Sequence, residues 1–145
     1  MSSPLPVLVV DDEPAIRSLV AKIVGRSGLD VETAVDGIDA IEKLQQAEYS
    51  VVVLDLMMPR ADGFTVIAYV KGMPLPRPAL IVASAGDTSV LRKLDGTVVH
   101  SILRKPFEID ILGDLIVAAA NSSAAERDKE RDSIVAFRLR PTKGQ

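Results

Sequence analysis

Two kinds of hydrophobic segment alternate along the chain. The first kind is short, continuous and rich in β-branched residues, and it occurs at positions 7–10, 51–54 and 79–83, with weaker examples at 31–34 and 101–104. Runs that are apolar at every position are typical of parallel strands that are covered on both faces. We therefore predict five strands in a sheet that is buried on both sides.

The segments between these strands have apolar residues at helical spacing. The stripe from Ile16 to Val24 follows Pro14, a residue that suits a first helical turn. Similar stripes predict four more helices, at 38–44, 64–68, 90–94 and 109–119. Because strand and helix alternate five times and such crossovers are right-handed, the helices should cover both faces of the sheet. The predicted fold is α/β, a three-layer α/β/α sandwich around a five-stranded parallel sheet.

The composition narrows the classes of function. The 145-residue chain has 17 basic and 20 acidic residues, so its net charge of −3 argues against direct binding to nucleic acid. It has no cysteine and one histidine, which excludes thiolate and multi-histidine metal sites. No apolar run approaches the roughly 20 residues of a membrane span, and the N-terminus lacks a signal-peptide pattern. We expect a cytoplasmic protein that does not contact membranes.

The last 25 residues differ in character from the rest. The segment 121–145 contains six basic and four acidic residues, mostly with alternating signs. Such a pattern is typical of a solvated helix extension or a flexible tail. We therefore predict one domain over residues 5–120, followed by a charged C-terminal extension over 121–145.

Polar residues follow most of the predicted strands. Asp11 and Asp12 follow the first strand, Asp55 the third, Ser84 the fourth and Lys105 the fifth. In an open parallel sheet, ligands bind beyond the carboxyl ends of the strands, so these side chains should meet at one edge. Three carboxylates at one edge repel each other unless a cation joins them, and oxygen ligands suit Mg²⁺.

This constellation suits phosphoryl transfer. A bound cation neutralises phosphate charge while a carboxylate oxygen attacks phosphorus in line. Asp55 ends the central apolar run, which makes it the best nucleophile. Lys105 and Ser84, on neighbouring strands, are placed to hold the remaining oxygens of the phosphoryl group.

The ordered set of motifs resembles the receiver domain of two-component response regulators. The matching segments, spread over residues 5–120, are Val9–Pro14, Leu54–Pro59, Asp62-Gly63, Ser84-Ala85 and Lys105–Phe107. The resemblance implies a flavodoxin-like, doubly wound sheet with strand order 2-1-3-4-5. We expect a stand-alone receiver similar to those of chemotaxis, or a fragment cut at its linker.

The resemblance implies a role for each acidic residue. Asp55 would be the phosphoacceptor. Asp12, Asp55 and the backbone carbonyl of Met57 would bind Mg²⁺ directly, and Asp11 would help through a water molecule.

Two further side chains and one peptide bond follow from the same resemblance. Ser84 and Lys105 would contact the phosphoryl oxygens, and the bond before Pro106 would be cis. The position three residues before Lys105 is usually aromatic in this family, whereas this chain has Ile102. We therefore expect the coupling between phosphorylation and the protein-binding surface to differ from the usual hydroxyl-and-ring pair.

The implied function is phosphorelay signal transduction. A sensor histidine kinase or phosphotransfer protein would transfer a phosphoryl group to Asp55. The new charge would then switch a protein-binding surface toward a downstream target or a homodimer. The chain would not be an enzyme for other substrates, since it would catalyse only its own phosphorylation and dephosphorylation.

Two alternatives remain open at the level of the sequence. Haloacid-dehalogenase-like phosphatases also place a nucleophilic Asp after an apolar strand, but they have a second acid two residues later, where this chain has Met57. A receiver-like binding module that works without phosphorylation would have the same fold. The intact set of acids argues against this module, and Ile102 favours it.

Overall fold

The computed structural model describes residues 5–58, 62–85, 92–94 and 96–139, with side chains through residue 131. Residues 90 and 91 of the helix predicted over 90–94 lie outside these ranges, and residues 92–94 form a turn. Helices are therefore numbered below among the described residues alone.

A five-stranded sheet forms the middle layer. Its strands are β1 (Val7–Val10), β2 (Val31–Ala34), β3 (Val51–Asp55), β4 (Ala79–Ser84) and β5 (Val99–Arg104). The spatial order is β2-β1-β3-β4-β5, and every neighbouring pair is parallel. The predicted parallel sheet and its strand order are therefore confirmed.

Four helices are described around this sheet. They are α1 (Pro14–Arg26), α2 (Gly37–Gln46), α3 (Gly63–Lys71) and α4 (Ile109–Leu139). The last helix has 31 residues, so the charged segment after residue 120 continues it to Leu139. None of the helices in these ranges is both long and apolar enough to cross a membrane.

The two faces of the sheet bury separate apolar clusters. Leu8 and Val10 of β1 belong to the cluster that includes residues of α2 and α3. Val7 and Val9 belong to the cluster that includes residues of α1 and α4. Alternate side chains of a strand point to opposite faces, and both faces are covered here, so a strand of this kind must be apolar throughout. This confirms the predicted three-layer α/β/α sandwich.

Gly63 allows α3 to begin directly against the end of β3. The Gly63 N–H donates a hydrogen bond to the Leu56 carbonyl at 2.9 Å. A Cβ atom at position 63 would lie 2.6 Å from the Leu56 Cα and 2.8 Å from the Asp55 carbonyl oxygen. Both neighbours are backbone atoms of the segment that carries the site described below, so no rotamer change can relieve the clash.

We expect Gly63→Ala to reduce the free energy of unfolding by about 1–3 kcal/mol, the usual cost of overpacking. The matched control is Gly25→Ala within α1, where an added Cβ meets no atom within 4 Å. That variant should be neutral or more stable by roughly 0.5–1 kcal/mol, because alanine is the better helix former. Urea denaturation of the three proteins checks both expectations. Equal stability of Gly63→Ala and the unsubstituted chain would contradict the close approach.

Candidate functional site

Three carboxylates meet at the carboxyl ends of β1 and β3. Asp11 and Asp12 follow β1, and Asp55 is the last residue of β3, which lies beside β1 in the sheet. One carboxylate oxygen from each residue lies within 4.8 Å of the others. In the described part of the chain, this is the one group of three or more acids, histidines or cysteines close enough to share a metal ion. The structure thus brings together the three acids selected from the sequence.

Backbone N–H groups orient two of these acids. Asp11 and Asp55 are 4% and 6% exposed, whereas Asp12 is partly exposed. The Glu13 N–H donates to Asp11 Oδ1 at 3.0 Å, and the Met57 N–H donates to Asp55 Oδ1 at 3.2 Å. Each buried carboxylate therefore has one oxygen held by the turn that follows it.

Lys105 lies between the two buried acids. Its Nζ donates a hydrogen bond to Asp11 Oδ2 at 3.1 Å and lies 3.6 Å from Asp55 Oδ2. The Lys105 N–H also donates to the Ser84 carbonyl at 3.0 Å, which continues the pairing of β4 with the chain beyond β5. The peptide bond between Lys105 and Pro106 is cis, as the resemblance to receiver domains implied.

The electrostatics of the site favour an added cation. Burial raises the pKa of Asp55 above its usual range, and the charges of Asp11 and Asp12 act in the same direction, against the opposing effects of Lys105 and the Met57 N–H. Burial acts to lower the pKa of Lys105, but its hydrogen bond to Asp11 and the nearby acids hold that pKa above normal. Lys105 therefore stays protonated, and its single positive charge offsets at most one of the three carboxylates, which favours an added cation.

The other two residues selected from the sequence also lie at this edge. Ser84 ends β4 and is fully buried, and its preceding residue Ala83 pairs with Asp55 in the sheet register. Met57 lies two residues beyond Asp55 and is 61% exposed. Met57 thus contributes to the site through its backbone, which already holds the Asp55 carboxylate.

Sequence reasoning missed Arg17. Its Nη1 donates a hydrogen bond to the Asp11 carbonyl at 2.9 Å, which ties the first turn of α1 to the acidic loop. An arginine in the first turn of a helix usually extends into solvent, and nothing in the local pattern marks this one as different. The clue in the sequence is that Arg17 lies six residues after Asp11. This spacing indicates a contact only once the conformation of the turn between β1 and α1 is known.

The sequence matches the family model of the response regulator receiver domain over residues 7–117. The chain belongs to this family. The matched range of the receiver domain contains all five strands, the three acids and Lys105.

Three proteins illustrate what the chain is similar to. The chain is 37% identical over 103 residues to protein-glutamate methylesterase/protein-glutamine glutaminase 1 of Anaeromyxobacter dehalogenans, a match that covers 69% of the chain and 29% of that protein. It is 32% identical over 108 residues to protein PilG of Pseudomonas aeruginosa, covering 73% of the chain and 80% of PilG. The crystal structure of response regulator TrrA from Thermotoga maritima, in complex with Mg²⁺ and BeF, has a TM-score of 0.71 and 27% identity, covering 79% and 98%.

The lengths of these relatives differ widely. The chain spans 29% to 43% of the length of several curated relatives that it matches. In contrast, it spans nearly all of the solved TrrA chain. The likeness to the longer proteins is therefore a likeness to their receiver domain.

Proposed function

We propose that the chain is the phosphoacceptor of a phosphorelay, with Asp55 as the residue that receives the phosphoryl group. The observation that carries this proposal is the position of Lys105, whose ammonium lies 3.1 Å from Asp11 and 3.6 Å from Asp55. When one of the two buried acids carries a phosphoryl group, the lysine ammonium between them can pair with the new phosphoryl oxygens. Membership of the receiver domain family supports the same assignment.

Mg²⁺ fits the donor set at this site. The three carboxylate oxygens lie within 4.8 Å of one another, and ligands of octahedral Mg²⁺ are about 3–4 Å apart at the usual bond lengths. Small side-chain rotations therefore suffice, and the partly exposed Asp12 is free to make one. We assign Asp12, Asp55 and the Met57 carbonyl as direct ligands and Asp11 as a ligand through water. When bound, Mg²⁺ neutralises charge on the phosphoryl oxygens and on the acids.

The transfer itself requires little from the protein beyond positioning. An Asp55 carboxylate oxygen attacks phosphorus, the bond from phosphorus to the donor breaks, and the donor leaves with the bonding electrons. Lys105 moves from Asp55 to the new phosphoryl oxygens, and the Ser84 hydroxyl, buried at the end of β4, binds another. The product is an acyl phosphate on Asp55.

Membership of the receiver domain family indicates the partners of this cycle. A sensor histidine kinase or a phosphotransfer protein supplies the phosphoryl group. Movement of Ser84 and Lys105 biases the surface formed by β5 and α4 toward a downstream protein or a second copy of the chain. Ile102, on β5 and 44% exposed, lies on this surface in place of the usual aromatic residue. The receiver domain over 5–120 performs these steps, with 121–145 as an extension, and no other substrate is turned over.

Acetyl phosphate tests the proposal directly. The protein is incubated with acetyl phosphate with and without Mg²⁺, and its intact mass is measured. We expect one phosphoryl adduct that forms only with Mg²⁺, is stable in acid and is labile in base. Rapid release of phosphate from many monoesters would instead identify a haloacid-dehalogenase-like hydrolase. Absence of both the adduct and Mg²⁺ binding would identify a binding module that works without phosphorylation.

A further inference from the structure

Asp11 is held at each of its polar atoms. Its N–H donates to the Ala34 carbonyl at 3.3 Å, and its carbonyl accepts from Arg17 Nη1 at 2.9 Å. Its carboxylate accepts from the Glu13 N–H at 3.0 Å and from Lys105 Nζ at 3.1 Å. The shortest of these four bonds is the one from the guanidinium, and a charged donor makes a hydrogen bond stronger. The chain between β1 and α1 is therefore fixed at this residue.

Asp12 differs from Asp11, because no direct contact restrains its carboxylate. Among the residues that the structure describes, this partly exposed carboxylate has no hydrogen bond and no ion pair. Its position is therefore set by the backbone that leads to it. That backbone is the peptide group between Asp11 and Asp12, which is planar and moves as one unit. Arg17 holds the oxygen of this same peptide group.

The helix α1 makes Arg17 a rigid anchor for that peptide group. The Arg17 N–H donates to the Glu13 carbonyl at 2.9 Å in the first turn of the helix, and Val20 and Ile23 are buried in the apolar cluster on one face of the sheet. Glu13 and Arg17 have the spacing at which opposite charges on a helix commonly pair. Within the described ranges, however, they form no ion pair, and Glu13 is exposed. The guanidinium is thus used for the Asp11 carbonyl and not for the nearest acid.

We propose that Arg17 is a positioning residue for Mg²⁺, which holds the peptide group between Asp11 and Asp12 so that the Asp12 carboxylate faces the other two acids. This inference rests on the proposed function, in which Asp12 is a direct ligand. Arg17 is not a ligand itself, because a guanidinium has no acceptor to offer a cation. Without Arg17 the peptide group can rotate, and Asp12 has no other contact to keep its carboxylate at the site. The affinity for Mg²⁺ therefore depends on the orientation of this ligand as well as on its charge.

Positioning and charge predict opposite results when Arg17 is replaced. The guanidinium is a positive charge close to a cation site, so its removal should strengthen Mg²⁺ binding if charge alone matters. Loss of the positioning bond should instead weaken binding, since the groups that orient the ligands of a metal typically contribute about 10–100-fold to its affinity. The direction of the change separates the two roles.

NMR on the full ¹⁵N-labelled chain measures the affinity, with Mg²⁺ added at constant ionic strength and the Glu13 and Met57 amides as reporters. We expect Arg17→Met to weaken Mg²⁺ binding about tenfold. Arg17→Gln, which is also uncharged and is too short to reach the carbonyl, should give the same loss, so the result does not depend on the folding of one variant. Arg17→Lys should recover affinity to within about threefold of the unsubstituted chain, because a single hydrogen bond has to be replaced and not a bidentate one.

The matched control is Arg26→Met in the same helix. Arg26 is exposed and lies nine residues after Arg17, about 13 Å along the axis, where salt largely screens its charge. This variant removes the same charge and should keep the affinity within about twofold. A merely structural role of Arg17 would lower the Tm and leave the affinity of the folded chain unchanged.

A double substitution tests whether Arg17 acts through Asp12. In an Asp12→Asn background, Arg17→Met should change the remaining affinity by less than about twofold, because coupled residues are not additive. Unchanged or stronger binding in Arg17→Met, or a tenfold loss that persists in the Asp12→Asn background, would overturn the inference. In either case the unsubstituted chain would still bind Mg²⁺ and form its acetyl phosphate adduct, so the proposed function would stand. An unsubstituted chain that binds no Mg²⁺ would overturn both.

Discussion

Asp55→Asn is expected to form no phosphoryl adduct under conditions in which the unsubstituted chain is phosphorylated by acetyl phosphate and Mg²⁺. The substitution preserves the shape of the side chain and replaces a carboxylate oxygen with an amide, which is a poor nucleophile. Intact mass spectrometry measures the adduct in both proteins. The expected change is complete loss rather than a reduced rate, because the new bond is made by this side chain.

The hydrogen bonds explain why Asp55, and not the neighbouring Asp11, should receive the phosphoryl group. Both oxygens of Asp11 are held closely, Oδ1 by the Glu13 N–H at 3.0 Å and Oδ2 by Lys105 at 3.1 Å. Among the described residues, Asp55 Oδ2 has only the longer contact of 3.6 Å to Lys105. The Asp55 oxygen is therefore the more available nucleophile of the two buried acids.

The control for this experiment is Asp62→Asn. Asp62 is exposed and caps α3 by accepting a hydrogen bond from the Thr65 N–H, outside the group of three acids. This variant should form the adduct like the unsubstituted chain. An adduct of the same yield in Asp55→Asn would show that another residue is the acceptor, and peptide mapping of that adduct would locate it.

The sheet and the position of the acids could be predicted because one physical rule determines both. A parallel sheet covered on two faces needs strands that are apolar throughout, and β1 and β3 have this pattern. The same parallel arrangement places all carboxyl ends at one edge, and the strand order implied by the family resemblance sets β1 beside β3, so Asp11 and Asp55 approach each other. No knowledge of side-chain geometry was needed for either step.

One of the two edge strands was less predictable. β5 begins at Val99, two residues before the predicted start, and its burial alternates with its side chains. An edge strand with one exposed face loses the continuous apolar run, so Val99 and His100 gave no clear strand signal.

Contacts between side chains and backbone atoms of other elements could not be predicted at all. Arg17 donates a hydrogen bond to the Asp11 carbonyl, and Arg127 donates one to the Tyr49 carbonyl. Every residue has a backbone carbonyl, so residue types do not indicate which carbonyl accepts. The close approach at Gly63 likewise depends on where α3 meets β3. Such contacts require the assembled fold, because their partners are set by its geometry and not by residue type.

Asp55→Asn is also expected to stabilise the metal-free protein, raising its Tm at neutral pH by about 2–4 °C, which corresponds to ~1 kcal/mol in a chain of this size. Ionised Asp55 is desolvated and lies close to Asp11 and Asp12, and the raised pKa of Asp55 is the result. The asparagine removes this repulsion. Lys105 keeps a partner in the variant, since its shorter contact is to Asp11 at 3.1 Å.

The pH dependence of this difference has a definite sign. Because the folded-state pKa of Asp55 is raised above the ordinary 3.8, its stabilising contribution is fully present below 3.8 and is lost as the pH rises through the folded pKa. The Tm advantage of Asp55→Asn should therefore be near zero at about pH 4 and grow to a plateau toward neutral pH. Calorimetry of both proteins in chelator-treated buffer measures it. A higher Tm for the unsubstituted chain at every pH would mean that Lys105 more than offsets the repulsion.

Added Mg²⁺ should reverse the order of the two proteins. At about ten times its dissociation constant, a ligand that binds only the folded state adds about 1.4 kcal/mol, and the unsubstituted chain has the full set of three acids to gain it. Asp55→Asn lacks one of these ligands and should respond less, while Asp62→Asn should respond like the unsubstituted chain. Sodium chloride at matched ionic strength separates binding from screening. The same carboxylate thus destabilises the metal-free fold and stabilises the metal-bound one, because repulsion among the acids at the end of β1 and β3 is what creates the affinity for the cation.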